Sequence, residues 1–380
     1  MKLLSSLLFS ILTSTAILAQ GTWTQKTNYA GPPTEKACGF SIGTKGYVGL
    51  GTSSTLDFWE WDQVANTWTQ KANCSGGTRS FGVGFSVGTN GYIGLGNSGQ
   101  DFWKWDQTTN MWSAIANFPG VARTGAFAWS IAAKGYVGTG SSGGQELWEY
   151  DPALDTWTAK ANFPGAAIYW TAYFSIGTKG YVGTGYDGAN RQDFWEWDQP
   201  TDTWTQKTNF PFARRAAVGF SVATMGYIIL GYGSVYEIDC WEYNVTANSW
   251  TQVTNFPGPA SCCHVTYTIG NSAYVATGYE SSSGLSQMNW EYTPQGVSVK
   301  EIDLPASVTV YPNPFTDYLT INTDAKGELK IFDALGKEVF KTQIKNPETK
   351  INLSDLKAGN YFYRLTSENK TISSGKITAK

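Results

Sequence analysis

Three arginines recur at one position of the sequence, and their side chains suggest a binding site. Arg79, Arg123 and Arg214 each lie 13 residues before a recurring tyrosine, and Arg215 follows the last of them. A guanidinium group offers five donors in a planar fork, which suits a carboxylate or the hydroxyl groups of a sugar. In the alternative interpretation each arginine bonds loop carbonyl groups of a neighbouring repeat. Arg79 and Arg123 stand as candidate ligand-binding residues.

Acidic residues are the candidates for general acid–base chemistry in this sequence. Nine of them recur at two positions of the repeat, and a general acid and base need two carboxylates in different environments, so the recurring acids are interpreted as structural. They are Asp57, Asp101, Glu146, Asp193 and Asp239, with Asp62, Asp106, Asp151 and Asp198. Glu237 and Glu280 lie outside the repeat. If the protein is an enzyme, we expect Arg214 or Arg215 to work with Glu237 or Glu280.

Aromatic residues on loops complete the candidate site. Trp170 has no counterpart in the other repeats, and either stacks on a ligand or packs within its loop. The loops lengthen in the last three repeats and carry further candidate ligand-binding residues, which are Tyr186, Asp187, Tyr232, Tyr236 and Tyr279. Variable loops on a repeated scaffold are a common place for a binding site.

The sequence does not predict a metal site or a cofactor. His264 is the one histidine, whereas copper and zinc sites generally recruit several imidazoles or thiolates. Five cysteines are an odd number, and Cys240 takes a core position of the repeat. A disulfide from Cys38 to Cys262 or Cys263 would join the first and last repeats.

A repeat of about 45 residues positions all of these side chains. Its tyrosine falls at Tyr47, Tyr92, Tyr136, Tyr181, Tyr227 and Tyr274, in steps of 45, 44, 45, 46 and 47 residues. This spacing is typical of four-stranded propeller blades. A lone tryptophan precedes the first tyrosine, at Trp23, and is missing after the last repeat. The segment around Trp23 is therefore predicted to complete the sixth blade and close the ring.

Strands within one repeat are short and bounded by turn residues. In the fourth repeat we predict strands at Phe174–Ile176, Tyr181–Gly185 and Phe194–Trp197, with a turn at Gly177–Gly180. Side chains of a strand alternate between its two faces, and both faces of a blade meet a neighbour. The many tryptophans are therefore first a packing requirement.

The composition and charge of the chain divide it into segments and exclude some classes of function. Residues 1–19 are typical of a signal peptide, 20–293 hold the repeats, 294–307 form a linker, and 308–380 form a small β-sandwich. A net charge of −3 with no basic patch argues against nucleic-acid binding, and no other stretch is long enough to cross a bilayer. The prediction is an all-β chain, a six-bladed propeller followed by a sandwich.

The last domain closely resembles the C-terminal sorting domain of the type IX secretion system of Bacteroidetes. The matching segments are Val308–Ile321 ("VTVYPNPFTDYLTI"), Ile331–Phe340 ("IFDALGKEVF"), Leu356–Leu365 ("LKAGNYFYRL") and Gly375–Lys380 ("GKITAK"). The resemblance implies that the secretion machinery is a partner and that the protein is secreted or held on the outer cell surface.

The repeats resemble kelch repeats over residues 21–293. Their second strands end in Gly-X-Gly, as at Gly49–Gly51, and their third strands read Asp-Phe-Trp-Glu-Trp-Asp, as at Asp193–Asp198. Two functions stay open. The first is a non-catalytic binding module for a glycan or a protein. The second, by resemblance to six-bladed kelch sialic-acid mutarotases, is a carbohydrate enzyme that needs no cofactor.

Overall fold

The computed structural model describes residues 21–53, 55–97, 99–142, 144–294, 308–323, 326–333, 337–367 and 370–380. These residues form strands and no helix, so none of them belongs to a helix that could span a membrane. The chain divides into two compact units, Met1–Ser298 and Val299–Lys380. The predicted signal peptide lies outside the described residues, as does all of the predicted linker after residue 294.

The first unit is a ring of six four-stranded antiparallel sheets, as predicted. Blades one to three hold β2 (Cys38–Ile42), β3 (Lys45–Gly49), β4 (Phe58–Asp62), β5 (Thr67–Gln70), β6 (Val83–Val87), β7 (Asn90–Gly94), β8 (Phe102–Asp106), β9 (Met111–Ile115), β10 (Phe127–Ile131), β11 (Lys134–Gly138), β12 (Leu147–Asp151) and β13 (Thr156–Lys160). Blades four and five hold β14 (Ala172–Ile176), β15 (Lys179–Gly183), β16 (Phe194–Asp198), β17 (Thr203–Gln206), β18 (Val218–Val222), β19 (Met225–Ile229), β20 (Cys240–Asn244) and β21 (Ser249–Gln252). Blade six holds β23 (Val265–Ile269), β24 (Ser272–Ala276), β27 (Asn289–Thr293) and the N-terminal β1 (Thr22–Gln25), and a small separate sheet holds β22 (Ser261–Cys262), β25 (Tyr279–Glu280) and β26 (Gly284–Leu285).

The ring closes through its N-terminal strand, as the phase of the tryptophan repeat predicted. β1 pairs antiparallel with β27, with Trp23 opposite Tyr292. The indole N–H of Trp23 donates to the Thr254 carbonyl of blade five at 3.0 Å. The corresponding tryptophan of every other blade donates in the same way to the blade before it, over 2.9 to 3.1 Å, at Trp68, Trp112, Trp157, Trp204 and Trp250. A circle of six equivalent bonds therefore runs around the outer edge.

The recurring glycine after each second strand follows from the contacts between blades. Its N–H donates to a carbonyl of the next blade over 2.8 to 3.1 Å, from Gly51, Gly96, Gly140, Gly185, Gly231 and Gly278. All six have a positive φ, between 77° and 109°. At Gly278 a Cβ would lie 2.0 Å from the His264 ring, so no larger residue fits there without a shift. The predicted strand Tyr181–Gly185 accordingly ends at Gly183, because Thr184 and Gly185 turn the chain with positive φ.

The second unit is the predicted sandwich, with two sheets around one core. The strands are β28 (Thr309–Tyr311), β29 (Tyr318–Asn322), β30 (Gly327–Phe332), β31 (Glu338–Ile344), β32 (Glu348–Asn352), β33 (Gly359–Ser367) and β34 (Lys370–Ala379). β28, β29 and β32 form one sheet, and β31, β30, β33 and β34 form the other. Leu319, Ile331 and Leu365 are among the buried residues between the sheets.

Candidate functional site

Six equivalent residues form a ring at one mouth of the central channel. Each precedes the innermost strand of its blade and has a positive φ, between 52° and 65°, at Lys36, Phe81, Gly125, Trp170, Ala216 and Cys263. The N–H of each donates to the carbonyl of the equivalent residue one blade back, over 2.8 to 3.1 Å. The circle closes where Lys36 bonds Cys263. The backbone of the mouth is therefore fixed, and its chemistry depends on the side chains.

A cavity of about 290 Å³ opens from this ring into the channel. The innermost strands line it, and a hydroxyl recurs in each of them at Ser41, Ser86, Ser130, Ser175, Ser221 and Thr268. Tyr173 occupies a lining position that the other blades fill with glycine, alanine or threonine. Burial raises the pKa of the Tyr173 phenol well above its ordinary value. Sequence reasoning missed Tyr173, although its bulk at a position of small residues was visible.

Trp170 lies at the mouth and packs on three other aromatic rings, one of which, Tyr169, meets it edge-on at 4.8 Å between centroids. Its ring stacks on Phe81 at 5.2 Å between centroids and 20° between planes, and on Tyr186 at 6.3 Å and 27°. Gly125 makes the first contact sterically possible, because a Cβ there would lie 2.6 Å from Trp170 Cδ1. The Trp170 indole N–H has no hydrogen-bond partner among the described residues. Trp170 thus packs within the rim and also forms part of its wall.

Arg215 continues this row of rings. Its guanidinium lies 4.8 Å from the Tyr186 ring centroid and 4.7 Å from that of Tyr232. One of its N–H groups donates to Asn190 Oδ1 at 3.0 Å, and it forms no ion pair with a described residue. Arg215 is half-buried, and a cation held between two aromatic faces gains from both quadrupoles. The Arg215 side chain is therefore a positive charge held in place, and it has further N–H groups that could donate to a ligand.

Two more tyrosines extend the row around blades five and six. The Tyr236 ring lies 5.1 Å from Tyr232 and 6.1 Å from Tyr279, between centroids. Asp187 pairs with Arg191 in the blade-four loop, and this pairing lowers the Asp187 pKa. We call the run Phe81, Trp170, Tyr186, Arg215, Tyr232, Tyr236 and Tyr279 the aromatic arc.

Arg79, Arg123 and Arg214 are not on this surface, which corrects the expectation that they bind a ligand. They are 3 %, 1 % and 1 % exposed, and each bonds a carbonyl after the second strand and the acid before the third strand of its own blade. Arg214 donates to both oxygens of Asp239, at 2.5 and 2.7 Å. The alternative interpretation, in which these arginines have a structural role, agrees better with the structure, but their hydrogen bonds to carbonyl groups lie within one blade and not between neighbouring blades.

The arginine and acid pairs suggested for an enzyme are not assembled. Arg214 is held by Asp239, and Arg215 lies between tyrosine rings. The Glu280 carboxylate accepts hydrogen bonds from Ser283 and from Ser286. Glu237 forms no ion pair with a residue that the structure describes.

His264 is part of the packing of blade six. Its ring nitrogens lie 2.6 Å from the Thr277 carbonyl oxygen and 2.8 Å from Ser261 Oγ. Both His264 and Ser261 are buried, and burial lowers the His264 pKa to about 4. A neutral histidine at this position joins two segments of the blade.

The predicted bridge from Cys38 to Cys262 or Cys263 is not formed. Cys38 is a free cysteine in the core between blades one and two, in the same cluster as Cys74. Cys262 and Cys263 are free cysteines at the mouth, and Cys240 is buried in another core, as its repeat position indicated. β2 turns the Cys38 side chain toward blade two, so it does not face the residues of blade six.

This fold and this site define a six-bladed β-propeller with an aromatic, cationic channel mouth, joined to a β-sandwich. Residues 309–380 match the family described as "Secretion system C-terminal sorting domain". The second unit is therefore a type IX secretion sorting domain, and the protein is exported for secretion or for display on the cell surface. The domain implies contact with the secretion machinery.

The propeller resembles solved structures. One of them, titled "Structure of YjhT", matches with a TM-score of 0.61 at 16 % identity, over 70 % of this chain and 96 % of that chain. At this identity the likeness shows the fold alone. The search of curated proteins found no match.

Proposed function

We propose that the propeller is a non-catalytic binding module that binds a glycan across the aromatic arc, on a protein exported by its sorting domain. The observation that carries the proposal is Arg215, a rim cation without an acidic partner among the described residues, held between Tyr186 and Tyr232. Aromatic faces suit the apolar faces of sugar rings, and a guanidinium fork suits their hydroxyl or carboxylate oxygens. The cavity of about 290 Å³ beside the arc is of the size that a small ligand group fills.

The same geometry favours binding over catalysis. A general acid or base must lie within hydrogen-bonding reach of the reacting group. At this mouth the Glu280 carboxylate is occupied by serine hydroxyl groups, and Arg214 is occupied by Asp239. What remains is a set of stacking faces, the Arg215 cation and the half-buried Glu237 carboxylate, and these two charged groups form no ion pair with each other.

A glycan array tests the proposal with the full chain. We expect binding that Trp170→Ala weakens at least tenfold, because this change removes the ring between Phe81 and Tyr186. Tyr318→Ala is the control, since Tyr318 is an exposed aromatic residue of the sorting domain, 44 % exposed, and its loss should leave binding unchanged. A folded protein that binds no glycan would refute the proposal and point to a protein ligand.

We further propose the chain boundaries of the mature protein: residues 1–19 are removed, 20–293 form the propeller, 294–307 form a linker and 308–380 form the sorting domain. N-terminal sequencing of the exported protein tests the first boundary. A start at Gln20 is expected, and a start at Met1 would contradict it.

A further inference from the structure

Two adjacent cysteines lie where the channel mouth closes. Cys262 is in β22, which pairs with β25, and Cys263 is the blade-six member of the mouth ring. The Cys263 N–H donates to the Ala216 carbonyl at 3.1 Å, and its own carbonyl accepts from Lys36 at 2.9 Å. The backbone on both sides of the pair is therefore held in place.

This backbone puts both thiols on the same side of the chain. Successive residues of a regular strand point to opposite faces. Cys263 leaves that pattern because its φ is +63°, and its Sγ lies 2.6 Å from Cys262 Sγ. No other atom fits between two sulfur atoms at this separation.

The other three cysteines are poor partners for oxidation. Cys38, Cys74 and Cys240 are 2 %, 2 % and 0 % exposed, inside cores between blades. Cys263 is half-buried at the mouth, so an oxidant reaches it more readily. The protein is exported, and disulfides persist in oxidising compartments outside the cytoplasm.

We propose that Cys262 and Cys263 form a vicinal disulfide in the exported protein. The Cys263 sulfur attacks a disulfide of an oxidising thiol–disulfide oxidoreductase, giving a mixed disulfide and releasing one thiol of the oxidant. The Cys262 sulfur then displaces the second thiol and forms the Cys262–Cys263 bond. Two S–H protons and two electrons leave the pair, and the oxidant becomes a dithiol.

The disulfide changes what the mouth can bind. In the dithiol form, one Glu35 oxygen and both sulfur atoms lie within 4.8 Å of one another, which is a set of donors for a soft divalent metal. The disulfide removes both sulfur donors from this set and leaves a sulfur–sulfur bond beside Tyr279. It also accounts for the odd cysteine count as one pair and three free thiols.

Thiol counting on the exported full-length protein tests this. The protein is purified without reductant, unfolded, alkylated and digested for mass spectrometry. We expect three of the five cysteines to be alkylated, and the peptide with residues 262 and 263 to be unmodified and lighter by two hydrogen atoms than its reduced form. Prior reduction should raise the count to five.

Two variants distinguish this pairing from others. Cys263→Ser should raise the count from three to four, because Cys262 loses its partner, whereas Cys240→Ser should lower it from three to two. Five alkylated cysteines in the unreduced protein, a peptide that links Cys38 to Cys262 or Cys263, or a metal ion that co-purifies with the two thiols would each overturn the proposal.

Discussion

Replacing Arg214 by methionine should destabilise the propeller strongly, although its neighbour Arg215 should tolerate the same change. Arg214 is 1 % exposed, and its guanidinium bonds both Asp239 oxygens and the Leu230 carbonyl at 2.9 Å. Methionine fills a similar volume but leaves Asp239 as a charge that is 13 % exposed and has lost its cation. Removing one partner of a buried ion pair costs about 3 to 5 kcal/mol.

The unfolding transition can be read on the propeller alone. All 17 tryptophans lie between residues 23 and 290, so their fluorescence reports this unit within the full chain. A loss of this size lowers the melting temperature by about 6 to 20 °C in a large domain. Arg215→Met removes contacts with the half-buried rings of Tyr186 and Tyr232, and we expect a loss of about 1 kcal/mol of stability. The reasoning is refuted if Arg214→Met costs under about 1 kcal/mol or if the two variants lose equal stability.

Three further predictions concern single residues of the propeller. Gly278→Ala should cost more than about 3 kcal/mol of stability, because its Cβ would lie 2.0 Å from the His264 ring. In Gly270→Ala the new Cβ meets no atom within 4 Å, so this variant should lose about 1 to 2 kcal/mol from its positive φ alone. Denaturant titration of both variants checks the difference. Between about pH 4 and 6.5 His264 binds a proton in the unfolded chain but stays neutral in the buried site of the folded protein. As the pH falls through this window, the wild type should therefore lose about 3 kcal/mol of unfolding free energy relative to His264→Gln. Parallel plots of unfolding free energy against pH for the two proteins would contradict this prediction. Gly125→Ala should displace Trp170 and weaken glycan binding without removing an aromatic residue, and unchanged affinity in a binding titration would show that the indole position does not matter.

Much of the propeller could be predicted from the sequence because its signals repeat. The tyrosine spacing and the phase of the lone tryptophan indicated six blades and closure by the segment around Trp23, and both are observed. Strand ends were less certain. The predicted second strand of blade four ran two residues too far because a sequence pattern does not show that Thr184 takes a positive φ.

The candidate site could be predicted only in part, because the recurrence of a residue in the repeat does not show whether its side chain is buried or exposed. Arg79, Arg123 and Arg214 share a position that points inward to an acid of the same blade, and only Arg215, one residue later, faces the mouth. The loops of blades four to six carry the aromatic residues that the sequence singled out as candidates, and the stacking of Trp170 on Phe81 crosses two blades. Contacts of that kind depend on the diameter of the closed ring, which no local pattern encodes.

The measurement that tests the central claim most directly is the affinity of the full chain for an array-selected glycan, by titration calorimetry, with Arg215→Met beside Arg191→Met. Arg191 is an exposed cation of the same rim, already paired with Asp187, and serves as the matched control. The account predicts at least a tenfold loss for Arg215→Met and less than a twofold change for Arg191→Met. Equal affinity of both variants and the wild type would contradict binding at the aromatic arc.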